Sequence, residues 1–183
     1  MVRKLDLGRS GRIGRLLRIS LAAGLLSVAL GTSPSLAASG GQASLAAVRA
    51  ATAAFHDLSA ATAAGYGLFP GCFSNPAGGM GVHYVQFSSV GDGAVDPTKP
   101  EALVYEPLRG GGMRLVAIEY VVIAASWTGS APPSVFGQQL EFVDSPNEFG
   151  LPPFYELHVW LWQPNPTGIF TEWNPSVSCA AAG

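Results

Sequence analysis

Between Arg114 and Ile123 the chain reads Arg-Leu-Val-Ala-Ile-Glu-Tyr-Val-Val-Ile. So many β-branched residues in one run predict a long strand, the strongest such signal in the chain. Side chains alternate along a strand. That period puts Glu119 on one face with Leu115, Ala117, Val121 and Ile123, an acid among apolar neighbours. An unpaired carboxylate is costly to bury, so Glu119 has to be protonated, hydrogen-bonded to a cation, or bound to a metal.

Other strands are predicted over Val82–Ser88, Ala102–Glu106 and Phe154–Trp162, with a weaker one over Val135–Val143. Leu108-Arg109-Gly110-Gly111-Gly112 reads as the hairpin turn joining the second strand to the third. Upstream, Ala43–Phe55 carries Leu45, Val48, Thr52 and Phe55 at helical spacing. Asp57 is placed to N-cap a second short helix, Leu58–Ala64, and Gly65 to stop it. His56 falls at the junction between the two. Helices between successive strands are missing, which argues against a doubly wound parallel sheet. The expected fold is α+β, with an N-terminal helical segment packed on an antiparallel β-sheet or open β-barrel and one disulfide.

The first 37 residues read as a secretory leader. Arg3, Lys4, Arg9, Arg12, Arg15 and Arg18 precede an apolar run from Ile19 to Leu30, and small residues follow up to a cleavage point after Ala37. The run is about 12 residues, short of the roughly 20 that cross a bilayer. Residues 38–183 are then expected to form a single exported domain, secreted or retained in the periplasm or cell envelope. It keeps Arg49, Lys99, Arg109 and Arg114 against eleven acids, four less eleven, a net charge of −7. Phosphate backbones and anionic membrane surfaces repel such a domain, so nucleic acid and membrane are excluded as expected partners. In an oxidising compartment Cys72 and Cys179 are expected to pair.

The histidines of this domain are His56, His83 and His158. His83 shares a strand face with Val85 and Phe87. His158 shares one with Phe154, Glu156, Trp160 and Trp162. Imidazoles with one carboxylate suit Zn, Cu or Fe, so His83, His158 and Glu119, with His56 as a fourth candidate, are expected to bind a divalent transition metal. No short ligand spacing such as H-x-H or H-E-x-x-H supports this; the residue types do. A second reading is a non-catalytic small-molecule pocket lined by Tyr84, Trp160 and Trp162, since aromatics crowd the C-terminal third. A third is an extracellular interaction or structural domain in which Glu119 and a histidine form a buried pair. No Ser stands in a Gly-x-Ser-x-Gly elbow, so a hydrolase triad has no support.

Gly79-Met80-Gly81-Val82-His83-Tyr84, Leu157-His158-Val159-Trp160-Leu161-Trp162 and the tail from Asn165-Pro166 through Trp173-Asn174-Pro175 to Cys179 resemble a family of small secreted bacterial proteins of unknown function. Phe55-His56-Asp57 and Ala64-Gly65-Tyr66 extend the resemblance over most of the mature chain. It implies one exported domain and assigns no catalytic residue. A more distant likeness to cupins fails at their motif, because the position two after His83 is Val85 and not His.

Overall fold

The computed structural model describes residues 36–182. The leader expected over residues 1–37 therefore lies, but for its last two residues, outside the described part. The helical segment is α1 (Leu36–Thr52), a 3-10 turn at Ala53–His56, and α2 (Leu58–Ala63). Asp57 caps α2, accepting a hydrogen bond from Ser59 N–H at 2.8 Å, and Gly65 leaves the helix at φ 96°.

Nine strands follow among the described residues: β1 (Gly67–Leu68), β2 (Phe73–Asn75), β3 (Gly78–Val85), β4 (Ala102–Pro107), β5 (Met113–Ile123), β6 (Ser134–Val135), β7 (Gln138–Gln139), β8 (Glu141–Val143) and β9 (Phe154–Val159). A single helical turn, α3 (Phe87–Val90), follows β3. The main sheet is antiparallel in the order β1-β3-β4-β5-β9-β8, with β2 pairing the other half of β3's outer edge. It is an open sheet, not a barrel. The weak strand expected over Val135–Val143 is broken in three: β6 and β7 make a separate hairpin, and only β8 joins the sheet. Phe136, between β6 and β7, sits at φ 55° beside Gly137, and that turn ends the run.

One sheet face carries Leu103, Tyr105, Ile118, Tyr120, Val122, Leu157 and Val159 and packs under Val48 and Ala61 of the helices. Buried tyrosine hydroxyls on this side all find carbonyls: Tyr66 that of Pro100, Tyr105 that of Phe55, and Tyr120 that of Pro97. Register on β5 departs from simple alternation. Val104 pairs with Ala117 but Tyr105 pairs with Leu115, so Val116 is an extra residue on β5. Leu115 is thereby turned onto the helical face, and the sequence expectation that it lies beside Glu119 is corrected. The bulged Val116 carbonyl accepts from the N–H groups of both Trp162 and Gln163.

After β9 the chain runs without regular structure across part of the opposite face. Val177 packs there on Val104, Val116, Ala117 and Trp160. Gly79 and Asn174 exchange both backbone hydrogen bonds at 3.1 Å. Gly78 must stay glycine for this approach, since a Cβ would stand 2.4 Å from the Asn174 carbonyl. Cys72 and Cys179 are joined, with Cα atoms 5.7 Å apart, and fasten the tail beside β2. No helix among the described residues is long and apolar enough to cross a membrane.

The disulfide closes a span of 107 positions. Replacing both cysteines with serine is expected to lower the unfolding free energy by about 2–5 kcal/mol, because the denatured chain regains the freedom that the bridge removes. Urea denaturation of the variant beside the wild type reads this. An unchanged midpoint would mean that contacts of the tail alone hold it.

Candidate metal centre

The face opposite the helices is built in cross-strand rows. Val85, Ala102, Glu119 and His158 form one row across β3, β4, β5 and β9, and His83, Val104 and Ala117 form the next. Glu119 and His158 are therefore direct cross-strand neighbours. His83 starts two strands away, roughly 9.5 Å across the sheet. Its side chain reaches across β4 toward them. His83 Nε2 ends 3.3 Å from Glu119 Oε2 and 3.4 Å from His158 Nε2. His158 Nδ1 lies 4.0 Å from Glu119 Oε1.

All three side chains are buried, and each offers one ligand atom within 4.8 Å of the others. They can hold a metal ion. A tetrahedral centre with bonds of about 2.0–2.1 Å sets its ligand atoms about 3.3–3.4 Å apart. The two shortest contacts here have that spacing. As a hydrogen-bond network the group is incomplete, because Nδ1 of His83 and Nδ1 of His158 have no partner.

Burial sets the protonation of the group. Desolvation pulls the His83 imidazole down to about 4, and it pulls His158 well below its ordinary value, with His83 adding to the effect. Both rings are neutral and present lone pairs. Glu119 is pushed well above the usual carboxylate range, first by desolvation and then by Glu156. Glu156, buried opposite Val121 on the same face, is hydrogen-bonded to Glu119 and raised by burial to about 7. Two carboxyls so placed share a proton, since both cannot ionise at close range.

Glu156 is the site residue that sequence reasoning passed over. Its signal was available, for it stands two residues before His158 and so on the same face. His56 is not brought to the group. It is exposed on the 3-10 turn, and its ring meets the edge of Trp162 at 4.4 Å on the helical side. The pocket expected from Tyr84, Trp160 and Trp162 is not assembled either. Tyr84 alternates to the helical face, where it packs on Tyr105 at 5.3 Å. Trp160 stacks on His158, with centroids 6.1 Å apart and planes 20° apart. Trp162 lies past the end of β9, where Leu161 N–H bonds to the Val159 carbonyl and breaks the two-residue period. Its ring goes to Arg49 and His56.

A half-open cavity of about 80 Å³ adjoins the group and is lined by His83, Glu119 and Glu156 but not by His158. No protein-family model, curated protein or solved structure matches the chain.

Glu101 is a further buried carboxyl near the site, 2% exposed, accepting the Val121 N–H at 3.1 Å. Desolvation raises it to about 8. An acid held above its unfolded value of 4.5 stabilises the fold fully below that value, and the contribution is lost as pH rises through about 8. Glu101→Gln keeps an oxygen for Val121, so it should gain on the wild type as pH rises from about 5 to about 9. Parallel urea denaturation at both pH values reads the difference. A constant gap between the two proteins would show that Glu101 does not titrate in this range.

Proposed function

We propose that the protein is an exported domain that binds a divalent transition metal, Zn, Cu or Fe, through His83, Glu119 and His158. The observation that carries this reading is the convergence of three buried donors from three strands, with two of their separations at the edge length of a tetrahedral site. Neutral imidazoles suit it, because a metal needs the lone pair that a proton would occupy. Glu119 would give up its proton on binding, so affinity should rise with pH. Glu156 stands where it can take a hydrogen bond from the ligand shell or hold that proton. The leader pattern and the Cys72–Cys179 bridge support export.

A bound metal supplies a Lewis acid, and the cavity side of the group is where a water or a small molecule would meet it. The chain's own contribution is a rigid frame. His83 and Glu119 come from adjoining regions of the sheet, and His158 is fixed beneath Trp160.

Elemental analysis of the protein purified without chelators is expected to find about one Zn, Cu or Fe per chain. His83→Ala and His158→Ala should each lose it. Because alanine at a buried position can weaken the fold, chelator-treated wild type supplies the second measurement. Added metal at about 100 times its Kd should stabilise that protein by about 2.7 kcal/mol, read as a rise in Tm. Metal-free protein that also takes up no added metal overturns the reading and leaves Glu119, Glu156 and the two histidines as a structural polar cluster.

A further inference from the structure

We propose that the cavity beside the histidine–glutamate group binds a small monocyclic aromatic molecule carrying one hydroxyl. Its walls are apolar and largely aromatic, with Phe73, Phe149 and Phe154 in an edge-to-face series at centroid distances of 4.9 and 5.8 Å. Edge-to-face walls offer ring faces and edges at the spacing a further ring needs. The volume, about 80 Å³, admits no more than one ring, and the open side leaves room for the part that projects.

The floor is different in kind. His83, Glu119 and Glu156 line it, and each is buried. An apolar cavity closed at one end by a few convergent polar groups is the form that fixes a ligand's orientation. A hydroxyl fits a floor of two carboxyl groups because it donates to a carboxyl oxygen and also accepts from a carboxylic acid O–H. An ammonium only donates, and it loses more hydration on entry. This floor is present with or without an ion at the three ligands, so binding here does not depend on the metal reading.

The rim is built as an entrance. Phe87, on α3, is 58% exposed and lines the cavity, and Val90 of the same turn stands beside it. Leu151 and Phe149, also in the lining, are carried by the loop before β9. Asn147 folds that loop on itself, donating to the Asp144 and Leu151 carbonyls and accepting from Leu151 N–H. The loop therefore presents its two apolar side chains on a fixed turn.

The test is calorimetric titration of the full mature chain with phenol and with toluene, each on metal-loaded and chelator-treated protein. Phenol is expected to saturate with a Kd of about 1 mM or tighter. Toluene, of the same shape without the hydroxyl, should bind at least about tenfold more weakly. Leu151→Trp and Val90→Trp add bulk to the cavity lining from two separate segments outside the sheet. Each should weaken phenol at least about tenfold while leaving metal content unchanged. Two variants are used so that misfolding of one, seen by circular dichroism, leaves the other to decide. No saturable phenol binding in either form of the wild type overturns the assignment, as does equal affinity for toluene or undiminished affinity in the folded variants. Saturable phenol binding by protein that takes up no metal upholds the cavity and sinks the metal centre. Stoichiometric metal with no phenol binding does the reverse.

Discussion

The strand β5 has to serve two interiors at once, and its phase decides which residues go to each. Ile118, Tyr120 and Val122 enter the helical core, while Ala117, Glu119 and Val121 face the other way. A slip of one residue would exchange the sets, placing a carboxyl under the helices and a tyrosine in the site. The extra residue at Val116 absorbs the mismatch between the two halves of the strand. It lets Leu115 join Tyr105 in the helical core without shifting Glu119. Its carbonyl then becomes the point where the chain leaving β9 is tied down. One bulge thus sets both the facing of the site and the end of the strand that carries His158.

A carboxyl in the centre of a sheet is tolerable only if its charge is removed or answered. Among the described residues no Lys or Arg answers Glu119; its neighbours within 4.0 Å are the two histidines, which burial keeps neutral. The group therefore avoids charge by holding protons on acids that are ionised in water at pH 7 and by keeping the imidazoles neutral. Such a state is costly in an ordinary core, where apolar residues of like volume would pack at less expense. A divalent cation changes the balance. It favours the carboxylate over the acid and uses the imidazole lone pairs that burial has left free. The features that make the cluster poor as a polar network are the ones that make it good as a ligand set.

Much of this was legible in the residues, and the limits follow from physics. The runs at Ala102–Glu106 and Arg114–Ile123, the glycine hairpin between them and the Asp57 cap were readable because each is a local signal. So was the facing of His83, Glu119 and His158, since all three sit inside regular strands. Facing failed where regularity ends. Leu115 lies beyond a bulge and Trp162 beyond a turn, and neither break has a strong local signature. The histidine at the helix junction was a candidate only through its chemistry, and nothing in periodicity could have told that the junction packs on the far side of the sheet. The phenylalanines of the cavity come from four separate segments, brought together by pairing of β2, β3 and β9 and by the loop before β9. Long-range register of that kind is not written in any one window of sequence.

The two ends of the site face are treated unequally, and this determines which side is open. On the Trp160 side the tail lies over the sheet, held by the Gly79–Asn174 backbone pair, by Val177 and by the disulfide. His158 is sealed there, 2% exposed beneath an indole. Toward Val85 and Val121 no such cover exists among the described residues, and the phenylalanine-lined cavity takes its place. A ligand set closed on one side and open on the other is the arrangement expected of a site that receives something, whereas a purely structural ion is enclosed on all sides. By pinning the tail that packs on Trp160, the disulfide leaves the cavity beside His83 and Glu119 as the open side of the group.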